Sequence, residues 1–135
     1  MTKHRKKMMM MKIGKNVSPE LRAFKSLYDL QMKFQHSVTG IITPIDMIEW
    51  FVYHMAAMQE ELGEVLKADK RWKTHRNTKY DPENKIDELA DVFITAMNLS
   101  IYSGFTGEEI AKAIENKINE NVLRLERRKK DDSNC

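Results

Sequence analysis

Three prolines in one repeated context constrain this chain more than any other feature. They occur as Ser18-Pro19, Thr43-Pro44 and Asp81-Pro82. Ser, Thr and Asp oxygens accept hydrogen bonds from the free N–H groups of a helix's first turn. Proline, with a fixed φ and no N–H, suits the position that follows. Three helix starts result. Thr106-Gly107-Glu108-Glu109 supplies a fourth as a capping box, with Thr106 at the cap and Glu109 three residues on. Gly40 and Gly104 stand where the first and third helices should stop, because glycine readily takes the left-handed conformation of a helix end. No alternating strand pattern of useful length is present. The chain therefore reads as all-α, with four helices near 19–37, 44–73, 82–103 and 107–128.

Each segment carries an apolar stripe at helical spacing. The second has Ile48, Phe51, Met55, Met58, Leu62, Val65 and Leu66, and the third has Ile86, Leu89, Val92, Phe93, Ala96 and Met97. The fourth has Ile110, Ile114, Ile118, Val122 and Leu125. At 1.5 Å per residue the second helix would be roughly 45 Å long. A chain of 135 residues covers that length poorly with its own helices, which favours a partner chain.

The length suits one domain. The single cysteine, Cys135, is the last residue, so it forms neither an internal disulfide nor a zinc cluster. That usage fits a reducing, cytoplasmic setting. The net charge of +3 is unevenly placed: residues 1–15 hold Lys3, Arg5, Lys6, Lys7, Lys12 and Lys15 and no acid. Without those six charges the remainder is −3, so the basic balance belongs to a tail and not to a nucleic-acid-binding face. Met8 to Met11 form too short an apolar run for a signal peptide, and no run approaches a membrane span. Residues 1–15 read as a disordered basic tail, 16–128 as the domain, and 129–135 as a second disordered tail.

The informative residues are acids beside the apolar stripes. Glu60, Glu61 and Glu64 stand on the second helix, and Glu88 and Asp91 on the third. Residues three or four apart share a helix face, so Glu61 and Glu64 point one way, as do Glu88 and Asp91. The first face continues through Ala57 and Ala68, which let another helix come close; the second continues through Thr95, Asn98 and Tyr102. If the two helices pack antiparallel, the carboxylate pairs face each other. Acids at that spacing repel, and oxygen ligands select hard cations, magnesium or manganese, over zinc. Spacing alone is equally compatible with a solvated, lysine-paired face.

At these residues the chain resembles the MazG-like, all-α nucleoside triphosphate pyrophosphohydrolases. Their hallmark is Glu-Glu-x-x-Glu followed by Glu-x-x-Asp, read here as Glu60-Glu61-Leu62-Gly63-Glu64 and Glu88-Leu89-Ala90-Asp91. Asp91-Val92-Phe93-Ile94 and Lys117-x-x-x-Asn121-x-x-Arg124 extend the likeness, which covers about 20–126. The resemblance implies a four-helix bundle completed by dimerisation, in a homodimer or homotetramer. It implies cleavage of a nucleoside triphosphate to a monophosphate and pyrophosphate, with magnesium held by Glu61, Glu64, Glu88 and Asp91. Glu60 would orient or deprotonate the attacking water, and Lys117, Asn121 and Arg124 would meet the phosphates. Neither a stable nucleic-acid partner nor a membrane enters this reading.

The base has several candidate contacts. Trp72 lies two helical turns beyond Glu64, where some relatives place a stacking tryptophan. Gln31, Gln35 and His36 lie on the first helix, which in relatives often reaches the base, and Asn98 lies on the third. Amide side chains can read a base edge because they donate and accept together. The basic loop Lys73 to Asp81 reads either as a solvated connection or as a lid over a triphosphate. Two other classes fit the same residues: a non-catalytic helical nucleotide-binding or interaction module, and a relative acting as a dUTPase or on phosphoribosyl-ATP.

Overall fold

Each of the three proline signals starts a helix in a computed structural model of the chain, which describes residues 18–40, 43–76 and 79–135. The expected basic tail, 1–15, lies outside the described residues. The helices are α1 (Pro19–Thr39), α2 (Pro44–Asp69), α3 (Pro82–Ile101) and α4 (Gly107–Ser133). No strand occurs among the described residues, and no helix among them is long and apolar enough to cross a membrane.

The caps act as their residue types dictate. Thr43 Oγ1 accepts from the Asp46 amide at 3.2 Å, and Asp46 Oδ2 accepts from the Thr43 amide at 2.9 Å. Asp81 accepts from the Asn84 amide, and Ser18 from the Leu21 amide. Gly40 (φ 70°) and Gly104 (φ 82°) take the left-handed conformation that stops α1 and leads out of α3. All four C-terminal ends differ from the sequence expectation, those of α1 and α3 by two residues and those of α2 and α4 by more. α2 stops at Asp69, short of 73, because Lys70 itself turns left-handed (φ 60°) and Asp69 is drawn to Arg71 and Lys85. α4 runs to Ser133, into the stretch read as a tail, because Arg127 to Lys130 are good helix formers and no glycine or proline intervenes.

The chain divides into two compact units. One is Tyr28–Thr106, and the other joins the chain up to Leu27 with Gly107–Cys135. The expected domain, 16–128, spans parts of both. In the second of these units, Leu21 and Phe24 of α1 and Ala111, Ile114 and Ile118 of α4 line an apolar groove of about 380 Å³.

In the unit Tyr28–Thr106, α2 and α3 form an antiparallel hairpin. Asp69 at the end of α2 pairs with Lys85 at the start of α3, while Trp50 and His54 early in α2 stack on Tyr102 just past α3. The second half of α1 joins them through three hydrogen bonds. Gln31 Nε2 donates to Asn98 Oδ1 (2.8 Å), the Tyr102 hydroxyl to Gln35 Oε1 (2.7 Å), and the Tyr28 hydroxyl to the Phe105 carbonyl (2.7 Å).

The helices meet along their small and polar lines. Tyr28, Ala68, Ile101 and Tyr102 are buried together with Gln35, His54, Thr95 and Asn98. The apolar stripes face outward instead: Ile48, Ile86 and Phe93 are about two-thirds exposed, and Met55, Leu62 and Leu66 about half. Ala57 and Ala68 lie on the buried line, where small side chains permit close approach.

Candidate functional site

The hairpin brings acids of two helices together. Glu61 of α2 and Glu88 and Asp91 of α3 each offer an oxygen, and the three oxygens lie within 4.8 Å of one another. Glu88 and Asp91 share a face because they are three residues apart. The antiparallel register sets Glu61 opposite them. Glu61 and Glu88 are half-buried and Asp91 is exposed.

This proximity has an electrostatic signature. The Glu61 carboxyl is pushed above its ordinary range, first by burial, then by the charges of Asp91, Glu60, Glu88 and Glu64. Such a group seeks a proton or a cation. Opposite ligands of a cation with bonds of 2.0–2.6 Å stand about 4–5 Å apart and adjacent ones closer, so three oxygens within 4.8 Å leave room for a hard divalent ion, although exposed acids commonly stand this close without one.

The other two acids stand differently. Glu64 Oε1 accepts from Lys67 at 2.9 Å, on its own helix, and raises the Lys67 ammonium above its ordinary value. Glu60 is exposed, and its charge reaches Glu61.

From Asp91 a polar line climbs α3. The buried Thr95 donates its hydroxyl to the Asp91 carbonyl at 2.9 Å. Asn98, seven residues beyond Asp91 and so about 10 Å along the axis, is 5% exposed and holds Gln31. Gln35 is buried and engaged by Tyr102. Of the candidate base contacts, Gln31 and Asn98 are thus joined to each other, and Gln35 lies alongside as a tie to Tyr102.

Trp72 caps α2. Its indole N–H donates to the Leu66 carbonyl at 2.8 Å, its ring is half exposed, and the Lys73 ammonium lies 5.2 Å above it. The loop after α2 is held at both ends. Arg71 packs over the Tyr80 ring at 4.1 Å, and Lys85 over the same ring at 5.5 Å. Lys117, Asn121 and Arg124 are exposed on α4, with Lys117 3.6 Å from Glu120.

Sequence reasoning overlooked His54. It extends the line of Ala57 and Glu61 one turn toward the start of α2, and that spacing was the available signal. It is 6% exposed, and its Nε2 has no hydrogen-bond partner among the described residues. The Asp69–Lys85 pair was overlooked too, because only the hairpin brings the two residues together. No protein-family model matches this chain, and no curated protein or solved structure matches it.

Proposed function

We propose that this chain is a magnesium-dependent nucleoside triphosphate pyrophosphohydrolase of the MazG-like kind. The observation that carries the reading is the convergence of Glu61, Glu88 and Asp91 from two helices within 4.8 Å. These three would hold the ion, with Glu64 as a fourth ligand on release from Lys67. When bound, magnesium, or manganese in its place, neutralises phosphate oxygens and supplies Lewis acidity.

The chain's own side chains supply the rest. Glu60, exposed beside Glu61, takes a proton from the attacking water. The water oxygen bonds to the α-phosphorus, the bond to the bridging oxygen breaks, and pyrophosphate leaves. Lys117, Asn121 and Arg124 steady the departing phosphates. The Gln31–Asn98 pair, about 10 Å along the axis from Asp91, suits the distance from phosphate to base in a nucleotide. Its unused amide atoms meet the base edge, Gln35 holds the line through Tyr102, and the open face of Trp72 stacks.

The working form is a homodimer or homotetramer in the cytoplasm. Its support is the exposed stripe of Ile48, Leu62, Ile86 and Phe93, which a second copy would cover.

Pyrophosphate release from a nucleotide panel with magnesium tests the proposal. The double variant Glu61→Gln, Glu88→Gln should release none. Undiminished release by that variant refutes the site.

A further inference from the structure

Two helical turns before Glu61, an imidazole of α2 lies against the residue that ends α3. The His54 ring lies nearly parallel to Tyr102 (centroids 5.3 Å apart, planes at 12°) and to Trp50 (6.0 Å, 29°). Tyr53 meets it edge-on at 5.0 Å, and Trp50 itself stacks on Tyr102 at 5.9 Å. Tyr102 hands the contact on to α1 by donating its hydroxyl to Gln35 Oε1. Among the described residues, the titratable groups in ring contact with His54 are Tyr53 on its own helix and Tyr102 past α3; from α1, His36 lines a pocket with Tyr102, and Gln35 is neutral. No charged group shifts its titration, and burial alone pushes it below the ordinary histidine range. A buried nitrogen without a partner costs stability, and a phenyl ring would stack here without that cost.

We propose that His54 is a proton-operated latch that holds α1 against the α2–α3 hairpin. In the neutral form the ring lies flat on Tyr102 and fixes the tyrosine with its hydroxyl on Gln35. A proton on Nε2 places a full charge where neither water nor an acid meets it. Attraction to the faces of Trp50 and Tyr102 offsets part of that cost, but the new N–H still has no acceptor. The imidazolium reaches water by leaving the stack. Tyr102 then keeps only Trp50 of its two stacked partners, and its bond to Gln35 opens. Because the closed form disfavours the proton, the latch opens as pH falls and closes again as pH rises. This device is independent of what the carboxylates bind.

The test uses the full chain with 5-fluorotryptophan, whose two fluorine signals distinguish Trp50 from Trp72, titrated from pH 8 to 5. The expected result is a reversible shift of the Trp50 signal centred below the ordinary imidazole range, with far-ultraviolet circular dichroism unchanged. His54→Phe should abolish the shift while His4, His36 and His75 remain. In parallel, carbon-detected titration of the unsubstituted histidines should show His54 titrating with that same midpoint, which keeps the test open if His54→Phe does not fold. A shift that persists in His54→Phe overturns the latch. So does a His54 that titrates in the ordinary range, an unmoved Trp50 signal down to pH 5, or a shift that coincides with loss of helix.

Discussion

Asp69, the last residue of α2, accepts the ammonium of Lys85 in the first turn of α3, so one ion pair closes the hairpin that presents the acids. The same carboxylate takes the Arg71 guanidinium at 2.7 and 2.8 Å. Hydrogen bonds from Arg71 first and Lys85 second hold its carboxyl far below the ordinary carboxylate range. A depressed folded pKa adds stability that is fully present above the unfolded value and is lost as pH falls through the folded one. Asp69→Asn should therefore lower the melting temperature by a few degrees at neutral pH. The gap from the parent should stay constant down to the ordinary carboxylate range and narrow only in stronger acid. Thermal melts of both proteins from pH 7 to 2 check this.

Glu61 has the opposite sign. Burial and the neighbouring acids raise its folded pKa, so the metal-free protein gains from its protonation as pH falls from above the raised value toward the ordinary one. Glu61→Gln removes that repulsion. Without metal, its melting temperature at pH 7.5 should equal or slightly exceed that of the parent. With millimolar magnesium the parent should rise by several degrees and the variant should not, and the parent's rise should shrink at pH 5. A magnesium shift that survives in the variant places the ion elsewhere.

How much of this was legible beforehand depends on range. Ser18, Thr43 and Asp81 mark helix starts because a cap acts within one turn, and those starts agree with the structure. Helix periodicity and an antiparallel turn were expected to bring all four acids together; Glu61, Glu88 and Asp91 lie within 4.8 Å, and Glu64 is not among them. Glu64 instead follows the lysine-paired alternative, because Lys67 three residues on takes its oxygen. The inward face of α2, the line of Ala57 and Ala68, was legible as one that lets another helix come close, but the outward turn of the apolar stripe was not. Periodicity locates an apolar stripe but does not say whether this chain or another covers it, and here Thr95, Asn98 and His54 are buried while Ile48 and Phe93 are exposed. Pairs distant in sequence, such as Asp69 with Lys85, leave no trace in spacing.

The amide pair gives a third expectation. Asn98 is buried with Gln31 as a hydrogen-bond donor to it, so Gln31→Ala leaves a buried acceptor unmatched. That should cost about 1–3 kcal/mol of folding stability, read by urea denaturation. If the pair also meets the base, KM for the preferred nucleotide should rise roughly tenfold, or 1.4 kcal/mol, with kcat nearly unchanged. Gln31→Glu keeps the size but changes the charge, and it should alter the order of preference among bases rather than restore it.

His54→Phe separates the role of the ring from that of its nitrogen. The phenyl ring keeps the stack with Tyr102 and Trp50 and removes the unpartnered Nε2. At pH 7.5 the variant should be more stable than the parent by about 1 kcal/mol, since an unmet buried polar atom is lost and no contact is. Urea denaturation with an unchanged slope would show that the gain lies in the folded state. A loss of stability would mean that the imidazole makes a hydrogen bond through a bound water.

The exposed stripes yield the sharpest separation between the fold and its assembly. Phe93 is two-thirds exposed in the single chain, so Phe93→Glu removes little that holds one copy together. If a second copy covers the stripe, the same substitution places a charge inside an apolar interface, where an unpaired carboxylate is strongly disfavoured. Light scattering at micromolar concentration should give at least twice the 15.9 kDa chain mass for the parent and the single mass for the variant, with the helical signal retained. A parent that is already monomeric rules out the second copy, whereas a variant that unfolds shows that Phe93 serves the core of one chain. Only the first pattern leaves outward apolar stripes and an inward polar line as two consequences of one assembly: the polar line is kept for the ligand because the apolar faces are spent on the partner.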